Sequence, residues 1–242
     1  VASFDWDIST FGEVSPFIHL SSRVFLIEDD EFMSGSRCCG FETRRLLVRA
    51  IGPGLAVFVI DDHAGSPRFQ ILNSRGDLVA ENSGWGGDQA LVESFAEVGA
   101  FPLSPDSMDA AIQVDLAPDN YTIRLSDTNG VPGVILAEIY DSSEGSTQWG
   151  NRLVNLSSRG PVSTGSGVAT CGFIVGGEND ALILVRAIGP GLTAFGVTGA
   201  IDDPVLRVFD AESGRLLATN DDWAVPLGVD PAHPADEYYF IR

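Results

Sequence analysis

The sequence predicts an all-β protein made of tandem β-sandwich-like modules, each a double layer of antiparallel sheet with little helix. Three observations predict it. The octapeptide VRAIGPGL stands at 48–55 and again at 185–192. Short runs rich in Leu, Ile and Val are separated by turns, and the chain carries 27 glycines and 13 prolines to make them. Helical periodicity is nearly absent, the best window being 88–97, DQALVESFAE, just ahead of Gly99.

The repeat extends well beyond the octapeptide. Upstream, HLSSR at 19–23 matches NLSSR at 155–159, and CGF at 39–41 matches CGF at 171–173. Downstream, Pro67 matches Pro204, after which 68–85 runs beside 205–223 with one residue inserted. One fold unit in two copies is the physical reading. It divides the chain into an N-terminal extension (1–18), a first module (19–141), a polar linker (142–151) and a second, shortened module (152–242).

Each element follows from local pattern. Residues 44–51 and 181–188 are apolar runs ending at Gly-Pro-Gly, which describes a strand entering a tight turn. Residues 68–73 and 205–210 are followed by polar Gly-containing turns. Leu78, Val79 and Ala80, or Leu216, Leu217 and Ala218, then complete hairpins. Residues 110–116, 121–125 and 134–140 predict three more strands, divided by APDN and SDTNGVPG. The second copy has no recognisable counterpart of these three after Trp223. A module without them would expose sheet edges and part of its core. Three remedies present themselves: a chain cut short, residues 1–18 folding back to fill the gap, or residues 1–18 inserting into a neighbouring subunit.

Charge narrows the partners. With 34 acidic against 14 basic residues the formal net charge is -20. Such a surface repels nucleic acid and anionic membranes. No apolar run reaches the 18 to 20 residues of a membrane span, so membrane insertion is not expected. No secretory signal is visible, and the chain begins at Val1.

Candidate sites are few. His19, His63 and His233 are scattered, and neither GxSxG, HExxH nor a phosphate-binding glycine loop occurs, so no catalytic residue is assigned. Hard-oxygen donors for calcium cluster at Asp202, Asp203, Asn220, Asp221 and Asp222, with a thinner counterpart at Asp61, Asp62 and Asn82. The same residue types cap turns through nearby amides, which is the simpler account of them. Arg49 and Arg186 are expected to pair with acids, and Trp85 and Trp223 to plug their modules, a sugar-stacking platform being the alternative. Of the three cysteines, Cys38 and Cys39 are too close to bridge without strain. A bridge from either of them to Cys171, Cys39–Cys171 foremost, is the candidate in an exported chain, beside three buried thiols.

Taken together, RAIGPGL, the NDDW-type ending, GAFPLSPDSMDAAIQVDLAPDNYTIRLSDTNGVPGVILAEIYD (99–141) and the NLSSRG…TG…GF run (155–173) resemble a repeat of large secreted or surface proteins of Verrucomicrobia-like bacteria. The resemblance covers about 19–242. It implies an extracellular or cell-surface location and brings no catalytic residues to this chain, so an enzyme is not expected. The expected function is therefore structural or adhesive, with self-association or other surface proteins as partners and a filament assembled by strand addition as one form. A carbohydrate- or calcium-binding surface module and an accessory domain of a secreted hydrolase are the alternatives.

Overall fold

A computed structural model describes residues 2–11, 17–28, 31–143, 152–162, 168–176, 181–222, 228–229 and 240–241. Residues 144–151 of the expected linker lie outside them, as do Trp223 and His233. The chain is all-β, with one short helix and two similar five-stranded antiparallel sheets.

In chain order the first copy contributes β2 (Phe17–Leu26), β3 (Phe32–Cys39), β4 (Arg44–Ile51), β5 (Pro67–Leu72), β6 (Leu78–Asn82), β7 (Ala110–Leu116), β8 (Asp119–Asp127) and β9 (Gly133–Asp141). It is preceded by β1 (Ala2–Phe11). The second copy contributes β10 (Arg152–Val162), β11 (Thr170–Val175), β12 (Ala181–Ile188), β13 (Leu206–Phe209) and β14 (Leu216–Asn220), with short β15 (Gly228–Val229) and β16 (Phe240–Ile241). The strands expected to run into the two Gly-Pro-Gly turns and those of the hairpins are all present. Helix α1 (Gln89–Glu97) fills the window expected for it, capped by the Asp88 carboxylate accepting from the Ala90 amide at 2.9 Å.

The two sheets are shared between the copies. Sheet one runs β7-β4-β9-β2-β11, and its last strand belongs to the second copy. Sheet two runs β6-β5-β8-β3-β10 and continues into β1 and β12. The main core lies between them. Leu20, Val24, Val48, Ile135 and Ile139 from sheet one meet Phe32, Phe69, Ile71, Ile123, Leu125 and Leu156 from sheet two. Alternation along the strands produces this, because successive side chains point to opposite faces and one face of each sheet is apolar. A second cluster covers the outer face of sheet one, where α1 and its flanking loops set Trp85, Leu91, Phe95 and Leu103 over Leu47, Ile51, Ala111 and Tyr140.

Register corrects one sequence match. Ser21 and Ser22 of β2 stand opposite Gly172 and Cys171, while Ser157 and Ser158 of β10 stand opposite Gly35 and Ser34. Cys171 is therefore the counterpart of Ser34, not of Cys39. The CGF coincidence misleads because the triplets fall at different places in their strands: Cys39 is the last residue of β3, whereas Cys171 is the second residue of β11. Among the described residues no helix is long and apolar enough to cross a membrane.

Candidate functional site

The repeated octapeptide builds a latch in the first copy. Strand β4 places Arg49 directly across from Glu138 of β9. Arg49 is fully buried, and its Nε donates to Glu138 Oε2 at 2.9 Å. Its Nη1 donates to the Phe101 carbonyl at 2.7 Å, and its guanidinium lies 4.4 Å and 4.8 Å from the ring centroids of Phe101 and Phe95. Tyr140 Oη donates to Glu138 Oε1 at 2.9 Å. Burial pushes the Glu138 carboxyl above its ordinary range, against the opposing pull of Arg49 and Tyr140. His19 stacks on Tyr140 at 4.1 Å, and burial followed by the Arg49 charge lowers its pKa to about 4. Arginine, acid, phenol and imidazole are thus neighbours, but the first three hold one another beneath α1 and the loop after it. That arrangement specifies a fold rather than presenting a reactive group.

The Gly-Pro-Gly half of the motif closes on a carboxylate. Gly52 N and Gly54 N donate to Asp109 Oδ1 and Oδ2 at 2.8 to 3.2 Å, and Ser107 Oγ donates to Oδ2 at 2.8 Å. Asp109 is fully buried, so these bonds replace its lost water. A Cβ on Gly52 would sit 2.1 Å from the Ala64 carbonyl oxygen, and one on Gly189 would sit 2.1 Å from that of Ile201. Both copies therefore require glycine there for close backbone approach. Trp85 is buried, its Nε1 donating to the Ser104 carbonyl at 3.1 Å, as a core plug does. Trp223 lies outside the described residues.

The second repeated motif, LSSR, builds the seam between copies. Ser21 Oγ donates to the Gly172 carbonyl at 3.4 Å, and Ser158 Oγ donates to Ser34 Oγ at 3.0 Å in the interior. The approach is tight on both sides. A Cβ on Gly172 would lie 2.7 Å from Ser21 Oγ, and one on Gly35 would lie 2.7 Å from Ser157 Oγ. Each copy thus presents serines from its first strand to a glycine in the second strand of the other.

A strand of the N-terminal extension occupies the β9 position of the second copy. In the first copy, β9 lies between β2 and β4, with Glu138 across from Arg49 and Ser21, and Ile139 across from Val48 and Leu20. In the second, β1 lies between β10 and β12, with Asp7 across from Arg186 and Ser157, and Ile8 across from Val185 and Leu156. Both pairings give the same equivalence, so β1 occupies the β9 position acid for acid and isoleucine for isoleucine.

The other predicted residues are placed as follows. Asp202 and Asp203 are exposed in the turn before β13, and Asp221 and Asp222 are exposed after β14. Asn220 Nδ2 donates to the Asp222 carbonyl at 3.0 Å, a turn-capping bond. Among the described residues no three His, Cys, Asp or Glu side chains converge to hold a metal. Asn82, the counterpart of Asn220, accepts at 3.0 Å from the amides of Gly84 and Ala111, tying the end of β6 to β7. The Cys39–Cys171 bridge is not formed. All three thiols are free, with Cys39 opposite Arg152 in sheet two and Cys171 opposite Ser22 in sheet one. Sharing strands between copies puts β3 and β11 in different sheets. Burial pushes the Cys38 and Cys171 thiols up to about 12, which suppresses thiolate chemistry at neutral pH.

Sequence reasoning missed Glu138, Asp109 and Asp7. The shared acid-Ile dipeptides Glu138-Ile139 and Asp7-Ile8 link two of them but stand out only once the register is known, and Asp109 carries no such sign. In comparisons with protein families, with curated proteins and with solved structures, none matches the chain.

Proposed function

We propose that the chain is a structural or adhesive repeat of an extracellular or cell-surface assembly, acting through strand pairing and self-association rather than catalysis. One observation carries this reading. The repeated motifs are spent on architecture: LSSR forms the seam between copies, and in the first copy RAIGPGL is consumed by Glu138, Phe101 and Asp109. A repeat whose signature residues mate with the next copy is a unit for building, and the signature leaves no group free to turn over a substrate. The formal net charge of -20 suits an exposed, soluble surface, and the resemblance to secreted repeats supports the location.

The test is self-association of the full chain, followed by light scattering and negative-stain microscopy over a concentration series. Ordered oligomers or filaments that grow with concentration are expected. A monomer at every concentration would overturn the assembly reading. Saturable binding on a glycan array or in calcium calorimetry would move the assignment to a carbohydrate- or calcium-binding surface module.

A further inference from the structure

We infer that residues 2–11 are a donor strand that can be exchanged between molecules, and that the slot between β10 and β12 accepts this strand from a second copy of the chain. The inference rests on the self-association reading and names its partner and its contact surface.

The slot has two open walls. One wall is the edge of β10, which pairs with β1 over Asn155–Val162, from Ser9↔Asn155 to Ala2↔Val162. The other is β12, paired with β1 from Asp5↔Ile188 to Phe11↔Leu182. On its far side β12 meets only the two-residue β16 among the described strands, so β1 supplies most of its hydrogen bonding. Without β1, two strands of the second copy would face solvent with unpaired amides and carbonyls.

The strand already crosses between copies. It pairs with β10 and β12 of the second copy, whereas β2, which follows it after only the five residues 12–16, lies between β9 of the first copy and β11 of the second. Its register positions Asp7 and Ile8 reproduce Glu138 and Ile139, so the slot reads an acid-Ile pattern fixed by the repeat. A β1 from another molecule would make the same pairs as the chain's own β1, and exchange costs no backbone hydrogen bond. One donor strand and one slot per molecule give a heterologous, head-to-tail contact that closes into a ring or runs on as a fibre. The chain's own strand competes at an effective concentration on the order of mM for a short tether. Exchange is therefore expected to rise with protein concentration.

The test uses two full-length chains, one Ser9→Cys and the other Asn155→Cys. These positions lie directly opposite in the β1–β10 ladder, within reach of a disulfide. The chains are unfolded together, refolded over a range of concentrations and mildly oxidised, with the parental chain giving the background of its three free thiols. Peptide mapping should find an interchain link between positions 9 and 155 that rises several-fold over the background with concentration. A chain carrying both substitutions should bridge within itself at high dilution. An internal bridge in that chain with no interchain link in the mixture would confine the strand to its own molecule and overturn the inference. Self-association through other surfaces would still be read from the parental concentration series. Failure of both links would show the register to be wrong and overturn it as well.

Discussion

Residues 48–55 and 185–192 are the same eight amino acids in two surroundings. Their backbones agree: Gly52 sits at φ -123°, ψ -79° and Gly189 at φ -113°, ψ -86°, and each opens a 3-10 turn of the same length. Their burial does not agree. Leu47 is fully buried while its counterpart Leu184 is 42% exposed, and Arg49 is fully buried while Arg186 is exposed. The difference arises from what lands on the strand. In the first copy, α1, Phe101 and Leu103 cover the outer face and Asp109 fills the turn. In the second, among the described residues a Cβ at Gly191 would meet nothing nearer than Ile188 Cγ2 at 3.4 Å, where Gly54 would meet Asp109 Oδ2 at 2.9 Å. Identical local sequence thus fixes the turn, while segments tens of residues away decide whether an arginine is buried.

The largest expected consequence is a difference between the two arginines. Arg49→Ala leaves Glu138 buried without its counter-ion and should cost about 3–5 kcal/mol. Arg186→Ala removes an exposed charge and should cost under about 1 kcal/mol. Urea unfolding at neutral pH measures both, and equal losses would erase the comparison.

Acid should expose a second asymmetry, because His19 has Asn155 as its counterpart. The His19 pKa is lowered from 6.5 to about 4, so the fold favours the neutral ring. Its contribution is complete above pH 6.5 and is lost as pH falls through 4. The loss is up to about 3 kcal/mol, in a site shared with Arg49, Glu138 and Tyr140. His19→Asn should flatten that part of the stability profile, and an unchanged slope would assign acid sensitivity to other groups.

A smaller effect lies at the end of the two turns. Val59 is held at φ 63° and is 84% exposed, while its counterpart Gly196 adopts φ 77°. A β-branched residue in that region is strained. Val59→Gly should raise stability by about 1 kcal/mol and Gly196→Val should lower it by a similar amount, read as opposite shifts in Tm. The smallest effect is chemical. Alkylation of the unfolded, unreduced chain should add three adducts by intact mass, and a single adduct would restore the Cys39–Cys171 bridge. In the folded chain, Cys38 should react far more slowly than it does after unfolding.

Much of this architecture was legible in the residues. The apolar runs before Gly-Pro-Gly gave β4 and β12, the polar Gly turns gave the β5–β6 and β13–β14 hairpins, and the window 88–97 gave α1. These signals are local, because strand alternation, turn chemistry and helix capping act over a few residues. The latch was not legible. Glu138 and Asp109 lie 89 and 57 residues from the motif residues they bind, and in a chain with 34 acids nothing marks them beforehand. The CGF triplets show the opposite failure, a sequence identity between strand positions that do not correspond in register.

By itself, then, the sequence determined a duplicated all-β unit, its turns and its acidic surface, all set by composition and short-range pattern. Only the tertiary structure decided which copy's arginine is buried, that LSSR is a seam and that the first strand completes the second copy. Those outcomes depend on which strand edges meet. Any apolar strand of suitable length can satisfy an open edge, and the choice among them is made by long-range register and packing rather than by any one segment.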